Sequence, residues 1–190
     1  MIIPFVIALA VIIVDQISKY IVKSNMELGE SFNLIKNVLN IRFIENKGAS
    51  FGILKDHRLV FMILSSVAIA VMLVAILYIC RKSVRKNNRF IGVTLGLMFG
   101  GGIGNMIDRF FNESVSEYVT EKSSKVVVDF LEFDFVDFAV FNLADSFICV
   151  GSILFCICIF LGKYSLQPDT PPQEIEEIEA DEDLKENNES

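Results

Sequence analysis

Long runs of apolar residues dominate the chain, and four of them approach the length of a membrane span. Residues 59 to 80 form 22 consecutive positions without a charge, and about 20 apolar residues in a helix cross a bilayer core. Residues 90 to 107 form a second uncharged run. Residues 2 to 22 and 138 to 162 reach spanning length only if each tolerates an internal aspartate. The pattern therefore predicts four transmembrane helices.

Two shorter stretches show the patterns of β-strands. Residues 39 to 44 alternate apolar and polar side chains, and residues 125 to 130 are rich in β-branched valine. They lie in the segments 23 to 58 and 109 to 137, which connect apolar runs on one side of the predicted bundle. We expect an all-α integral membrane protein with a few strands on one membrane surface.

Charge sets the predicted orientation. The loop at 81 to 89 holds five basic residues in nine positions, and short loops rich in Lys and Arg stay in the cytoplasm. Both chain ends are then cytoplasmic.

The stretch 165 to 190 carries ten acids and one lysine, which predicts a disordered acidic tail. Residues 1 to 164 form the membrane domain, with outer loops at 23 to 58 and 109 to 137.

Polar residues within or beside the apolar runs converge on the outer side of the predicted bundle. Charges within spans are costly and mark a site, a pore or an ion pair. The converging residues are Asp15, Asn105, Asp108, Arg109, Asn142 and Asp145. Asp15 and Lys19 are four positions apart with the acid first, so we expect them to form an ion pair on one helix face.

A pair of carboxylates can form on this outer side. The second predicted strand brings Asp129 there, 16 residues before Asp145, if the chain doubles back. Glu132, Asp134 and Asp137 are rival partners, and periodicity alone leaves the choice open. Two facing carboxylates in a partly dry site share one proton. An aspartic peptidase uses such a pair to activate water and to protonate the leaving amine.

Neither a metal nor a cofactor is expected. The four cysteines, at positions 80, 149, 156 and 158, fall within predicted spans without metal-site spacing, and the single histidine is far away at 57.

Glycines at 92, 96, 100 and 104 line one face of the third predicted helix. Such a face lets a second helix backbone approach closely.

Five motifs resemble, in order, those of the lipoprotein signal peptidase family, also called signal peptidase II. They are VDQISK at 14 to 19, NKGASFG at 46 to 52, GGGIGNMIDR at 100 to 109, VVDF at 127 to 130 and FNLADS at 141 to 146. The resemblance covers residues 1 to 162. It implies an aspartic endopeptidase of the bacterial cytoplasmic membrane that removes signal peptides from prolipoproteins, just before the diacylglyceryl-modified cysteine. It also implies an extracytoplasmic β-cradle and a short mobile surface helix.

The resemblance implies roles for ten residues. The catalytic pair is Asp129 and Asp145. Residues that line the site and contact substrate are Asn46, Asn105, Arg109 and Asn142. Structural support comes from Asp15, Lys19, Gly48 and Asp108. The implied partners are diacylglyceryl-modified prolipoproteins and membrane lipids, with no nucleic acid, and the protein is expected to be monomeric.

The stretch 110 to 126 departs from the family pattern, because it is longer than the corresponding stretch of the family. It is expected to extend the outer surface.

Two other functional classes are alternatives to a peptidase: a small proton-coupled transporter and a non-enzymatic membrane assembly subunit. A transporter needs polar groups near the midplane, whereas the acids here cluster at one interface, which favours interfacial catalysis.

Overall fold

The computed structural model describes residues 2–46, 58–80, 89–115 and 125–161. Its elements, in chain order, are α1 (Ile3–Asn25), β1 (Ser31–Ile35), β2 (Leu39–Asn46), α2 (Arg58–Ile79), α3 (Arg89–Phe111), β3 (Val127–Phe133) and α4 (Leu143–Phe160). All four helices are long and apolar enough to cross a membrane. The predicted membrane fold with a small sheet is confirmed, whereas Gly48 and the acidic tail lie outside the described residues.

The helix ends differ from the ends of the apolar runs. α1 and α3 continue to Asn25 and Phe111, beyond the predicted ends at 22 and 107. α4 begins at Leu143 and not at 138. The cause is backbone pairing, because Phe141 donates to the Leu131 carbonyl at 3.0 Å and accepts from the Leu131 N–H at 2.7 Å. The chain thus doubles back against β3 before α4 starts, as the spacing of the two aspartates requires.

The three strands form one antiparallel sheet in the order β1-β2-β3. The turn between β1 and β2 places Asn37 in the left-handed region, at φ 61°, a conformation that asparagine tolerates better than most residues. Because α1 and α3 end where α2 and α4 begin, all strands lie at one end of the bundle, hereafter the sheet end. Phe43, Val128 and Phe130 pack there against Val22 of α1.

The helix α3 is the centre of the bundle and packs against the other three helices. Its contact with α1 depends on glycine, as the glycine spacing predicted. A Cβ atom added at Gly96 would lie 2.6 Å from the Pro4 carbonyl oxygen, and one added at Gly100 would lie 2.7 Å from that of Ala8. The two backbones therefore approach more closely than any larger residue permits.

The stretch 110 to 126, which is expected to extend the outer surface, is described at its two ends only. The Val126 N–H donates to the Asn112 carbonyl at 3.0 Å, which closes the ends on each other. Glu45 of β2 accepts hydrogen bonds from the Ser114 hydroxyl and from the Val115 N–H. These contacts attach the described ends of the stretch to the sheet.

Candidate active site

Asp145 lies in the first turn of α4, where it helps to begin the helix. Asn142 is the N-cap, and its Oδ1 accepts from the Asp145 backbone N–H at 3.0 Å. In return, the Asp145 carboxylate accepts from the Asn142 backbone N–H at 3.2 Å. This reciprocal capping box satisfies N–H groups that the helix leaves unpaired. It also fixes one oxygen of Asp145 and directs the other toward α3.

Asp129 reaches the same place from β3. Successive side chains of a strand point to opposite faces, and Val128 and Phe130 occupy the core beneath the sheet. Asp129 therefore faces the other way, and it is only 3% exposed. Its Oδ1 accepts from Asn142 Nδ2 at 2.7 Å, and its Oδ2 accepts from Asn46 Nδ2 at 2.9 Å.

Two asparagines connect the two carboxylates. Asn105 donates from Nδ2 to Asp145 Oδ1 at 2.7 Å, and its Oδ1 accepts from Asn142 Nδ2 at 2.9 Å. Asn142 thus contacts Asp129, Asp145 and Asn105 together. It is fully buried, so this residue, predicted to contact substrate, is in place to orient the carboxylates.

The charge state of Asp129 is perturbed by its surroundings. Burial, and next the negative charge of Asp145, raise the pKa of the Asp129 carboxyl from 3.8 to about 7. Hydrogen bonds from Asn46 and Asn142 act in the opposite direction. At neutral pH this carboxyl therefore carries a proton for much of the time, beside a second carboxylate.

The rival carboxylates have other surroundings. Glu132 forms a salt bridge with Arg42 at 2.8 Å. Asp134 accepts from Asn40 at 3.1 Å, and Asp137 is exposed. The structure thus brings Asp129 together with Asp145, a choice that the residue pattern left open.

A cavity of about 800 Å³ opens beside the pair. Both aspartates line it, together with Asn46, Asn105, Arg109 and apolar residues of α2 and α3. Arg109 donates to the Asn105 carbonyl at 2.8 Å, and its guanidinium lies 4.7 Å from the centre of the Phe61 ring, a cation–π distance. The cavity is polar at the aspartates and apolar elsewhere, which suits a substrate that presents one reacting bond on an apolar segment.

Three of the four predicted supporting residues, Asp15, Lys19 and Asp108, form a buried hub around the Lys19 ammonium. This ammonium lies 2.8 Å from Asp15 Oδ2, 3.0 Å from Asp108 Oδ2 and 3.0 Å from Asn105 Oδ1. The side chain is 4% exposed, and these three acceptors match the three donors of an ammonium group. The predicted Asp15–Lys19 pair is confirmed, and Asp108 joins it.

The two carboxylates of the hub also hold backbone from other elements. Asp15 accepts from the Ala144 N–H of α4 at 3.0 Å, and Asp108 accepts from the Val128 N–H of β3 at 3.3 Å. Gln16, which the sequence analysis missed, lies 3.1 Å from Asp108 Oδ1 and 3.2 Å from Asp15 Oδ2. A polar residue inside an apolar run was the available signal for it.

Comparison with known proteins shows two kinds of similarity. The sequence model of the family described as signal peptidase (SPase) II matches residues 7–161. A structure described as a bacterial membrane enzyme, solved by the in meso method at 2.3 Å resolution, is 32% identical, with a TM-score of 0.66 over 88% of this chain and 93% of its own. Another described in the same way, at 1.9 Å, is 34% identical, with a TM-score of 0.63 over 82% and 91%.

Removing the hub cation tests its structural role. Lys19→Met keeps the length of the side chain but leaves Asp15 and Asp108 buried beside each other without a positive partner. Breaking a buried pair in this way costs about 3–5 kcal/mol. We expect thermal unfolding in detergent to occur at a clearly lower temperature than in the wild type.

Arg42→Met is the matched control, because the Arg42 side chain in its salt bridge with Glu132 is 45% exposed. An exposed pair contributes at most about 1 kcal/mol. Equal unfolding temperatures for Lys19→Met and Arg42→Met would contradict the role of the hub.

Proposed function

The chain belongs to the signal peptidase II family of membrane aspartic peptidases, which process lipoprotein signal peptides, and from this premise we propose that Asp129 and Asp145 are its catalytic pair. The protein is thus a membrane-embedded enzyme that acts on prolipoproteins, and not a transporter or an assembly subunit. One observation supports the pair above all others. The fully buried Asn142 donates to both carboxylates, from its side chain to Asp129 and from its backbone N–H to Asp145, and both aspartates line the same cavity.

The surroundings of the two carboxylates suggest a role for each. Asp129, with its pKa raised to about 7, holds the shared proton, so Asp145 acts as the general base. Asp145 takes a proton from water as the water oxygen attacks the scissile carbonyl carbon. Asp129 donates to the developing oxyanion. Asp145 then gives the proton that it took from water to the leaving amine as the C–N bond breaks. Asp129 recovers its proton as the carbonyl re-forms, and no covalent intermediate forms.

Substrate contacts are assigned from the lining of the cavity. Asn46, Asn105 and Arg109 present polar groups beside the aspartates, where the polypeptide around the cleaved bond would lie. The apolar walls from α2 and α3 suit the signal segment and the acyl chains of the diacylglyceryl-modified cysteine. Asn142 orients the aspartates, while Asp15, Lys19 and Asp108 hold the helices and β3 in place.

We place the enzyme in the bacterial cytoplasmic membrane with its sheet end outward. The basic loop 81 to 89 joins α2 to α3 at the opposite end from the sheet, and such loops remain cytoplasmic. The peptidase domain then comprises residues 1 to 164. The acidic stretch 165 to 190 then lies on the cytoplasmic side, and the protein works as a monomer among lipids.

Labelling with a membrane-impermeant maleimide tests the orientation. A cysteine introduced by Lys36→Cys, in the exposed turn between β1 and β2, should be labelled in intact cells. A cysteine introduced by Asn87→Cys should be labelled only after lysis. The wild type, with its own four cysteines, gives the background. The opposite result would place the aspartates on the cytoplasmic side.

Substitution of the aspartates tests the catalytic pair. Asp129→Asn and Asp145→Asn each remove one carboxylate at nearly constant shape. Because loss of a general acid or base costs at least about 100-fold in rate, each variant should lose at least that much cleavage of a purified diacylglyceryl-modified prolipoprotein. Thermal unfolding in detergent would establish that both variants are folded.

The rival carboxylates supply the controls for this experiment. Glu132→Gln, Asp134→Asn and Asp137→Asn should each keep substantial cleavage. Near-normal activity of Asp129→Asn or Asp145→Asn would refute the assignment of the catalytic pair. Loss of activity in one control alone would identify that control residue as a catalytic carboxylate instead.

The proton assignment predicts a pH dependence. Above the raised pKa of about 7 of Asp129, the pair becomes doubly ionised, so kcat/KM should fall roughly tenfold per pH unit. Asn46→Ala removes a hydrogen bond that stabilises the ionised form, so its falling limb should move to higher pH. Asn33→Ala, on exposed β1, should leave the limb in place. A flat profile between pH 6 and 9 would refute the assignment.

A further inference from the structure

Most helical glycines near the bundle centre are required by close packing, but Gly102 is not. An added Cβ atom would come within 2.5 to 2.8 Å of a neighbouring atom at several positions, namely Gly96, Gly100, Gly101, Gly104 and Gly151. At Gly102 its nearest neighbours would be Ile69 Cγ1 at 3.2 Å and Ile69 Cδ1 at 3.6 Å, followed by Met72 Cε at 3.8 Å. All three are side-chain atoms of α2, so a methyl group at Gly102 would require Ile69 to shift by only a few tenths of an ångström.

A glycine that close backbone packing does not require is costly in a helix. Glycine in a helix interior is about 1 kcal/mol less favourable than alanine. Gly102 lies in the middle of α3, far from either end, so it does not cap the helix. The function of this glycine is therefore to be sought in the space that it leaves empty.

That space is part of the active-site cavity. Met98, Gly102, Asn105 and Arg109 all line the cavity, and their spacing of four, three and four positions places them on one face of α3. Gly102 is about one turn from Asn105, on the side away from the sheet, or about 4.5 Å along the axis. Asn105 is the residue that donates to Asp145. Gly102 is thus the first position on α3 beyond the polar end of the cavity.

The distance relates Gly102 to particular substrate positions. An extended chain advances about 3.3 Å per residue. A substrate with its scissile carbonyl at the aspartates, and its signal segment running along α3, therefore places the first or second residue before the cleaved bond beside Gly102. Ile69 and Met72 form the opposite wall at this level.

We infer that Gly102 is a specificity-determining residue: its missing side chain sets the largest residue accepted one or two positions before the cleaved bond. The inference rests on the proposed peptidase function and on the direction of the signal segment along α3. A methyl group at this position would displace Ile69 by a few tenths of an ångström, whereas a leucine side chain would fill the space in which the substrate residue lies.

Cleavage by purified wild type, Gly102→Ala and Gly102→Leu would test this inference. The substrates are diacylglyceryl-modified prolipoproteins with Gly, Ala or Leu at either of the two positions before the modified cysteine. Because one methylene group changes kcat/KM by about 10-fold or more in a fitted pocket, Gly102→Leu should lower kcat/KM at least tenfold more for a Leu-bearing substrate than for the matching Gly-bearing one. Gly102→Ala should show a smaller shift in the same direction.

Two control variants separate selectivity from bulk and from stability. Val67→Leu adds apolar volume to α2 at a side chain that is 56% exposed, so it should keep the selectivity of the wild type. Gly101→Ala, whose Cβ atom would lie 2.5 Å from the Ala144 carbonyl oxygen, should lower the unfolding temperature without changing the selectivity of the folded enzyme.

The outcomes distinguish this inference from the proposed function. A wild type that cuts none of the substrates would refute the peptidase function itself. Two outcomes with an active wild type would refute the role of Gly102 alone. In the first, Gly102→Leu has the same substrate selectivity as the wild type. In the second, both Gly102 variants lose the same factor in kcat/KM for every substrate. If Gly102→Leu does not fold, Gly102→Ala decides: a selectivity equal to that of the wild type refutes the inference.

Discussion

The structure depends on one buried cation. The ammonium of Lys19 lies at the sheet end among three oxygen acceptors, and a charge so deeply buried must be paired. Its partners Asp15 and Asp108 use their remaining capacity to accept N–H groups from α4 and β3. A single charge thus fixes the relative positions of two helices, one strand and the start of a third helix. A buried ion pair adds little net stability. We therefore regard its main effect as specificity: it favours one arrangement of the helices and β3 over other ways of packing them.

The hydrogen bonds that link the cation to the proposed catalytic pair pass through a neutral residue. Lys19 donates to Asn105, and Asn105 donates to Asp145. Asp129 accepts hydrogen bonds from the side-chain amides of Asn46 and Asn142. A direct salt bridge strongly favours the ionised form of a carboxylate. A neutral amide can orient a carboxylate while favouring its ionised form much less. Two carboxylates held by amides can therefore keep one proton between them, which the proposed mechanism requires. Asparagine is suited to this position because it donates and accepts at once.

Some of this architecture follows from the sequence, and some does not. The bilayer imposes a length on every span, so hydropathy located all four helices, and helix spacing identified the Asp15–Lys19 pair. The partner of Asp129 could not be identified in this way, because Glu132, Asp134 and Asp137 are closer to it in the chain than Asp145 is. The choice depends on the β2–β3 register and on the return of Phe141 against Leu131, which are contacts between distant residues. The same return shortens α4, which hydropathy alone extended to 138. Hydropathy also gave no reason to assign Gln16 to the hub.

The glycines show most clearly why neighbours decide what a residue does. Gly101 and Gly102 are adjacent, have the same backbone conformation class and share the same apolar surroundings in the sequence. A helix turns by about 100° per residue, so Gly101 faces the backbone of α4 while Gly102 faces the side chains of α2 across the cavity. One glycine permits two helices to touch, and the other keeps a volume open. A glycine-rich motif in a membrane helix therefore has no single meaning. What each glycine does depends on the atoms that face it: backbone of another helix indicates packing, whereas side chains beside a cavity permit the role in substrate binding that we infer for Gly102.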